Sequence, residues 1–237
     1  MLPLSKQNVY REKYKRLRPG WQPSGDEFEA LTRRYIAPGA RVLDLGSGRG
    51  GVMELFWRDV HTAVGADPDY ASLAERRARM PAVCCRGESL PFRGGAFDLA
   101  LGLWVLEHLA QPEQVLMELR RVLEPGGHFL FLTPNARHPL IWANRYSWAM
   151  PAVQRLLIPK LYGRAEADTF RTYYRANTLR HLRGLARRCG FEPGAMRAIS
   201  DPSYLAFNEL TFRAGVWLEQ AMPAGWGVHL LGDWVRV

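Results

Sequence analysis

The sequence predicts an α/β fold with a mainly parallel sheet of seven strands, helices on both faces and an antiparallel last strand. Three observations carry this prediction. Short apolar runs alternate with longer amphipathic ones from Arg41 onward, and a glycine-rich turn follows the first apolar run. The chain has 237 residues, 47% of them hydrophobic, which is enough for one well-filled core. Strands separated by helices of about 10 residues imply right-handed crossovers, which make the strands parallel.

The elements follow one another in a regular order. Ahead of the sheet, Ser24–Ile36 is predicted as a helix, with Ser24 at the cap position and Pro38 and Gly39 ending it. The predicted strands are Arg41–Leu45, His61–Ala66, Ala82–Arg86, Phe97–Gly102, His128–Thr133, Phe191–Ile199 and Gly227–Val237. The predicted helices are Gly50–Arg58, Asp69–Met80, Pro112–Leu123, Asn177–Cys189 and Tyr204–Met222.

A single domain accounts for the whole length. We expect residues 1–237 to form it, with an N-terminal helical cap at 1–37 and a helical, aromatic insert at 135–176. The insert interrupts the alternation with a stretch rich in Trp, Tyr and Pro. In the cap, Tyr10 and Tyr14 are four residues apart and therefore share one helical face.

Composition limits the compartment and the partners. Lys and Arg number 32 against 23 Asp and Glu, a formal charge of +9, which favours anionic partners: nucleic acid, an anionic membrane face or a phosphorylated substrate. An Arg-rich solubilising surface explains the same excess. The three cysteines form neither a disulfide framework nor a metal-ligand spacing, which suits a reducing cytoplasm. Without a signal-peptide core or a spanning apolar run, we expect a cytoplasmic protein, either free or peripherally bound to a membrane.

The chemical information is concentrated in VLDLGSGRGG, Val42–Gly51. A strand that leads into a glycine-rich turn and then a helix places backbone N–H groups beside a ligand. The spacing is ambiguous by itself. Gly46, Gly48 and Gly51 fit the dinucleotide fingerprint, whereas Gly46, Gly48 and Gly50 fit its methyltransferase version.

Two acids narrow the choice of ligand. Asp44, two residues before the first glycine, would lie beside the pyrophosphate of a dinucleotide, and like charges about 6 Å apart repel by roughly 3 kcal/mol at an effective dielectric near 20. S-adenosylmethionine instead brings an ammonium and a sulfonium, which a carboxylate attracts. Asp67, at the end of the second strand, is placed to accept hydrogen bonds from ribose hydroxyls, the alternative being a cap for the next helix.

Four segments carry a family resemblance. VLDLGSGRG, AVGADPD, ESLPFRGGAFDLALGLWVLEHL and LEPGGHFLFLTPN occur in order over Arg41–Asn135. As a set they resemble class I S-adenosylmethionine-dependent methyltransferases, most closely the small-molecule group with an LPF…FD…LEHL signature. The resemblance implies a Rossmann-like fold, S-adenosylmethionine as cofactor and a methyltransferase activity.

The resemblance also assigns the cofactor residues. It implies that the methionine end is lined by Asp44, Gly46, Ser47 and Gly48, the ribose held by Asp67 and Pro68, the adenine flanked by Glu88 and Ser89, and the sulfonium bordered by Gly102, Leu103 and Trp104. The chain departs from the pattern at one position. Many members have an aspartate five residues before Pro91, where this chain has Arg86, so the adenine contact falls to Glu88 or to the backbone around Gly87.

Two histidines are candidate general bases. Methyl transfer is an in-line displacement on an activated sulfonium, so the protein must orient the acceptor and remove a proton if the nucleophile is a hydroxyl. By family analogy His108 lies near the cofactor, although it is also explained as a capping or packing residue. His138 follows the TPN turn at the end of a strand, where substrate loops gather. Glu107 and His108 are too few ligands to predict a metal, so none is predicted.

Aromatic and basic residues outside these motifs are candidates for substrate contact. In TYYRAN, two tyrosines and an arginine beside a helix cap exceed what capping requires. Leu140–Arg164 mixes Trp and Tyr with cations, which suits a membrane interface or a lid over an apolar substrate, the alternative being a cover for the sheet. The predicted substrate residues are Tyr10, Tyr14, Trp142, Tyr173, Tyr174 and Arg175.

The leading hypothesis is methylation of a small or lipid-like molecule, with peripheral contact to an anionic membrane as a further expectation. RNA methylation is the alternative suggested by the charge of +9. Nucleic acid is not favoured, because the sequence has no appended RNA-binding motif, no Asn/Asp-Pro-Pro-Tyr run and no Pro-Cys pair. An S-adenosylmethionine-binding protein without catalysis is the third hypothesis. The acceptor, the methylated atom and the oligomeric state are left open.

Overall fold

The fold is built on a seven-stranded sheet. A computed structural model describes residues 3–76, 79–142 and 170–237. The strands are β1 Arg41–Leu45, β2 Thr62–Asp67, β3 Ala82–Cys84, β4 Phe97–Leu103, β5 Leu123–Pro134, β6 Phe191–Ile199 and β7 His229–Arg236. Their order is β3-β2-β1-β4-β5-β7-β6; β1 to β5 are mutually parallel, and β7 is antiparallel to both of its neighbours. The predicted architecture is confirmed.

The strand register brings the motif residues to one edge of the sheet. Asp44 is level with Gly65 on β2, and Leu45 is level with Gly102 on β4. The turns after β1, β2 and β4 therefore emerge side by side at the edge where the parallel strands end, called the carboxyl edge below. In open α/β sheets this is where ligands bind.

Helices cover both faces of the sheet, as predicted. The described α-helices are α1 Leu4–Leu17, α2 Ser24–Arg33, α3 Tyr70–Ala74, α4 Pro112–Val122, α5 Leu179–Arg188 and α6 Glu209–Ala221. On one face, α4 and α5 pack on a core that includes Phe129, Phe131 and Trp234. On the other, α2 packs through Phe28. The buried residues of α4 recur every three or four positions, the spacing of one helical face.

Short 3₁₀ turns follow β1, β4 and β6. 3₁₀ turns occur at Val52–Leu55, Leu106–His108 and Pro202–Leu205. α1 packs on the last of these turns and on α6, around buried Tyr14 and Phe212. This layer lies just beyond the end of β6, at the carboxyl edge, and the Trp21 indole N–H donates to the Ser200 carbonyl to hold it there.

Two predicted helices are shorter than expected. The helix predicted at Gly50–Arg58 is only the 3₁₀ turn Val52–Leu55, because Gly50 has φ +129° and Gly51 is extended, so helical geometry cannot start before Val52. The helix predicted at Asp69–Met80 ends at Ala74. Beyond it the Arg76 guanidinium turns inward toward Gly65, a tertiary contact that outweighs the helix propensity of the following residues.

Other boundaries also differ. Ser24 is the first residue of α2 but does not cap it, since its hydroxyl hydrogen-bonds His229 Nδ1 at 2.8 Å. β5 starts at Leu123, five residues before the predicted His128. The region predicted as Tyr204–Met222 divides where Asn208 begins α6 with a capping box.

Part of the predicted insert lies outside the described residues. The aromatic stretch Leu140–Arg164 falls almost wholly within 143–169, so its role as a lid, and the domain plan with a cap at 1–37 and an insert at 135–176, stay predictions. Within the described ranges, no helix is long and apolar enough to cross a bilayer.

Candidate functional site

The turn after β1 is built from glycines in left-handed conformations. Gly46 and Gly48 have φ of +68° and +42°. A Cβ on Gly46 would lie 2.3 Å from Val105 Cγ2, so this turn packs directly against the segment after β4. Only glycine combines this conformation with this closeness. The predicted cofactor residues Gly46, Ser47 and Gly48 therefore lie beside Trp104 and its neighbours.

Asp67 at the end of β2 ties the glycine turn to the next loop. Its Oδ2 accepts the Gly48 N–H at 2.9 Å, and its Oδ1 accepts the Asp69 N–H at 2.8 Å. A carboxylate has about four acceptor positions, so each oxygen retains one for a ligand hydroxyl. Asp69, and not Asp67, caps α3, because its carboxylate accepts the Ala71 N–H. The alternative that Asp67 is only a helix cap is therefore wrong.

Asp44 and Ser47 provide buried polar atoms without partners. Asp44 is 4% exposed and Ser47 3%, and among the described residues neither Asp44 Oδ2 nor Ser47 Oγ has a hydrogen-bond partner. Burial raises the pKa of Asp44 to about 7, and the nearby Arg76 guanidinium opposes the rise. Buried polar groups are ordinarily paired. A ligand with an ammonium group would supply the missing donor, so the residues present fit the methionine end of S-adenosylmethionine.

The predicted adenine residues follow β3, the strand that pairs with the end of β2. Cys84, the last residue of β3, is level with Asp67, and the turn holding Glu88 and Ser89 follows β3 at the carboxyl edge. Pro68 lies in the same region, where its carbonyl accepts the Cys84 thiol at 3.6 Å. Arg86 is exposed, and no described contact shows it taking the place of the missing aspartate.

The end of β4 carries an unusual backbone conformation. Gly102 and Leu103 close the strand, and Trp104 follows with φ +59°, a rare conformation for a bulky residue. The Trp104 N–H donates to the Leu132 carbonyl at 2.9 Å, which holds the turn to β5. Such outliers concentrate at functional sites.

Glu107 is a buried acid that joins three segments of the site. Its Oε2 accepts the Thr133 hydroxyl at 2.9 Å, and its carbonyl accepts the Tyr173 and Tyr174 N–H groups. The Asn177 amide donates to Thr133 Oγ1 at 2.6 Å, closing the network. Burial raises the pKa of Glu107 to about 7.

His108 is held in one tautomer. Its Nδ1 donates to the Arg171 carbonyl at 2.9 Å, because a carbonyl can only accept. Burial lowers the pKa of His108, so the ring is neutral at pH 7 and Nε2 carries a lone pair. Nε2 lies 4.0 Å from Glu107 Oε1, and the side chain is 32% exposed. A neutral ring with an unprotonated Nε2 meets one requirement of the predicted general base.

His138 differs because both ring nitrogens are engaged. Nδ1 accepts the Leu140 N–H at 3.2 Å, and Nε2 donates to Glu219 Oε1 at 3.3 Å. His138 and Glu219 are each 4% exposed at the side chain, a buried pair. A catalytic role for His138 stays a prediction, and its bonding suits a structural link between β5 and α6.

The structure does not bring all the predicted substrate residues together. Tyr173, Tyr174 and Arg175 contact the segment around His108: the two tyrosines bond through their N–H groups to the Glu107 carbonyl, and the Arg175 guanidinium donates to the Ala110 carbonyl at 2.6 Å. Tyr10 and Tyr14 belong to the α1 layer, where Tyr14 is 1% exposed and packs on Trp21. Trp142 is 57% exposed at the end of a described range. Their substrate contacts stay predictions.

A third histidine escaped sequence analysis. His229 at the start of β7 is buried and hydrogen-bonds the Ser24 hydroxyl and, at 3.3 Å, the Tyr204 hydroxyl. Its ring centroid is 4.7 Å from that of Trp104, which places it beside the turn that follows β4. Burial lowers its pKa to about 3, so it is neutral. Only the pairing of β7 with β5 reveals this position, since no motif surrounds it.

No metal centre is formed by the described part of the chain, where no three His, Cys, Asp or Glu side chains converge as ligands. The glycine turn, the buried Asp44 carboxyl and Asp67 come together at the carboxyl edge of a Rossmann-like sheet, which is the arrangement predicted for a site that binds S-adenosylmethionine.

Comparison with known proteins agrees with this geometry. Residues 43–131 match the methyltransferase domain family. A probable S-adenosylmethionine-dependent methyltransferase of Mycolicibacterium smegmatis is 38% identical over 111 residues, covering 46% of this chain and 42% of that protein. The C-methyltransferase UbiE of ubiquinone/menaquinone biosynthesis in Burkholderia mallei is 29% identical over 116 residues, covering 43% and 46%. The chain thus matches less than half the length of these relatives.

Solved structures share the fold over most of the chain. Geranyl diphosphate C-methyltransferase from Streptomyces coelicolor has a TM-score of 0.62 at 16% identity, covering 90% of this chain and 77% of that one. The cyclase SpnF has a TM-score of 0.60 at 18% identity, covering 91% and 86%. At these identities the likeness shows the fold alone. Residues 43–131 of this chain therefore match a methyltransferase domain, and they lie within a Rossmann-like fold.

Proposed function

We propose that this protein transfers the methyl group of S-adenosylmethionine to a protic group of a small or lipid-like acceptor, with His108 as the general base. The observation that carries the proposal is the fixed tautomer of His108, whose Nε2 is unprotonated, in the turn Leu106–His108 that follows β4. A base of this kind is needed only if the acceptor must lose a proton.

The cofactor would be held by the glycine turn, Asp44 and Asp67. When bound, S-adenosylmethionine supplies a methyl group already activated on a sulfonium. The buried Asp44 carboxyl, which has an unpartnered oxygen, would hold its cationic end, and the Asp67 carboxylate, which accepts the Gly48 N–H, would also accept from the ribose hydroxyls. The chain's remaining task is to orient the acceptor and take up its proton at His108 Nε2.

An exposed aromatic ring near His108 supports an acceptor with an apolar body. The Phe170 side chain is 52% exposed, and its ring centroid lies 6.1 Å from that of His108. An apolar molecule with one hydroxyl or amine would contact both the base and this ring. A lipid-like acceptor also implies peripheral contact with an anionic membrane.

Labelling of fractionated extract tests the proposal. The protein is incubated with S-adenosylmethionine radiolabelled in the methyl group and with cell extract, which is then separated into lipid, RNA and polar metabolites. We expect label in lipid or small metabolites, lost with H108Q and retained with H61Q, a control at an exposed histidine before β2. Label in RNA would establish the alternative substrate. Tight cofactor binding without labelling of any fraction would establish a non-catalytic binding protein.

Calorimetry tests the cofactor separately. Because Asp44 disfavours a pyrophosphate, the protein should bind S-adenosylmethionine or its homocysteine product and bind NAD much more weakly. Comparable or tighter NAD binding would contradict the proposal at its first step.

A further inference from the structure

Helix α5 exposes a face that consists of cations. Leu182, Leu185 and Ala186 are buried against the sheet. The opposite side exposes Arg180, Arg183 and Arg187, here called the arginine face, with His181 and Arg188 beside it. The helix contains no acid. Arg180 and Arg187 are seven residues apart, so the face extends about 10 Å along the helix.

Among the described residues the arginine face has no acidic partner, whereas some arginines on other helices have one. Arg33 pairs with Glu29 and Arg121 with Glu118 on their own helices. Within the described ranges, no carboxylate lies in ion-pair distance of the arginine face, and the nearest ion pair on α5 joins Arg188 to Glu113 of α4. Three guanidinium groups held on one rigid element without counterions favour binding of an external anion.

The arginine face is continuous with the carboxyl edge. α5 begins after Asn177, whose amide is bonded to Thr133 in the Glu107 network. Arg171 and Arg175 are exposed and precede the helix, and the Arg171 carbonyl holds His108. A surface that docks on the arginine face therefore lies next to the proposed base.

Exposed apolar side chains border these cations. Phe170, 52% exposed, lies at the end near His108. Met117, 63% exposed, lies on α4 between Glu113, which pairs with Arg188, and Arg120, which contacts Gly190. Cations interspersed with exposed apolar side chains are the composition of an interfacial surface. A single-stranded nucleic acid would need stacking rings among the cations, but the arginine face itself has only His181 beside it on α5, and the Tyr173 ring is already covered by the Arg171 and Arg175 guanidinium groups.

We propose that the arginine face of α5 docks the protein on an anionic phospholipid bilayer, with Phe170 and Met117 at the boundary of the contact. The guanidinium groups pair with lipid phosphates and carboxylates, and docking brings the His108 side of the carboxyl edge to the membrane. For its biological purpose the proposal rests on the lipid-like acceptor proposed above, but the docking itself requires neither a cofactor nor catalysis.

Vesicle sedimentation with matched charge reversals tests the surface. The full chain is mixed with vesicles of phosphatidylcholine containing phosphatidylserine, or of phosphatidylcholine alone. The face variant carries R180E, R183E and R187E. The control carries R16E, R58E and R93E, which change the net charge equally at exposed positions on other elements. Each basic residue near an anionic bilayer contributes about 1 kcal/mol, so the face variant should bind at least about 100-fold more weakly.

We expect the wild type to bind only the anionic vesicles and to be released by salt, and the control to retain most of its binding. Equal losses in both variants would overturn the proposal, since net charge alone would then explain binding. Failure of the wild type to bind anionic vesicles at low salt would also overturn it, as would loss of binding to a structured RNA in the face variant with no change on vesicles. S-adenosylhomocysteine binding, unchanged in both variants, shows that the fold is intact and separates this result from the proposed function.

Discussion

Single residues at the carboxyl edge determine what chemistry the site supports. Glu107 and His108 are adjacent in sequence but have different roles. The imidazole is partly exposed and fixed by the Arg171 carbonyl, whereas the carboxyl group is buried in a network with Thr133. Because Glu107 Oε1 lies 4.0 Å from His108 Nε2, an ionised Glu107 stabilises the imidazolium that forms when His108 takes a proton.

This arrangement predicts a pH profile. H108Q should lower kcat by about 10²- to 10⁴-fold with little change in cofactor affinity, as for loss of a general base. E107Q retains the acceptor for Thr133 but cannot ionise. The wild-type rate should therefore rise through pH 7 as Glu107, with its pKa of about 7, loses its proton, and E107Q should lack that rise. Identical profiles for wild type and E107Q would show that Glu107 is only structural.

Asp67 gives a second test at this scale. Two ribose hydrogen bonds to a carboxylate contribute about 2–4 kcal/mol, so D67A should weaken S-adenosylhomocysteine binding by roughly 30-fold or more. D69A is the matched control, because Asp69 caps α3 and faces solvent. Calorimetry on both variants measures the difference. A change below about threefold in folded D67A would rule out the ribose role.

Sequence identified the residues that belong to local motifs and missed those that depend on tertiary contact. Asp44 and Asp67 follow from their spacing to the glycine turn, and the structure places them beside it. His229 lies in no motif, because its environment comes from Ser24, Tyr204 and Trp104, which are distant in sequence. Burial in such a setting can be seen only in three dimensions.

Among elements, strands were better predicted than helices. β1 and β6 match their predicted bounds, because a short apolar run in the sequence indicates a buried strand. The turn Val52–Leu55 and helix α3 are shorter than predicted, because Gly50 and Gly51 adopt non-helical conformations and Arg76 turns toward the sheet. Helix propensity does not predict these two early ends, because both depend on how the glycine turn packs in three dimensions.

The tight contact between the glycine turn and the segment after β4 can be tested directly. G46A places a Cβ against Val105 Cγ2 at a positive φ, and should lower the free energy of unfolding by about 2–4 kcal/mol. G39A, whose Cβ would meet no atom within 4 Å, should change it by less than about 1 kcal/mol. Adding V105A to G46A should recover part of the loss. Urea unfolding that shows equal stability of G46A and G39A would refute this account.

For the whole molecule, buried ionisable groups couple stability to pH. Burial raises the pKa values of Asp44 and Glu107 to about 7, so these groups stabilise the fold at low pH and lose that contribution as pH rises through 7. Burial lowers the pKa of His229 to about 3, so its contribution is present above 6.5 and is lost as pH falls toward 3. Between these limits the folded state holds extra protons on Asp44 and Glu107 and lacks protons at His229 and, because burial lowers its pKa as well, at His108.

The extra proton held by Glu107 can be isolated by comparing the wild type with E107Q, which removes that proton and leaves the other buried groups in place. Between about pH 5 and pH 6, the change in the free energy of unfolding per pH unit should be about 1.4 kcal/mol more positive in E107Q than in the wild type. Urea titrations of the cofactor-free proteins at both pH values measure this. Equal slopes for the two proteins would contradict a raised pKa of Glu107.

The position of β7 has a consequence for how the protein is made. β7 lies between β5 and β6 in the sheet, so β5 and β6, which are synthesised first, have no neighbour on that side until β7 has been synthesised. Until His229 and its successors emerge, β5 and β6 each present an open hydrogen-bonding edge, and Phe129, Phe131 and Phe191 lack the Trp234 indole against which they pack. Open edges and uncovered aromatics promote aggregation. A nascent chain stalled shortly before residue 229 is therefore the form of this protein that most needs a chaperone.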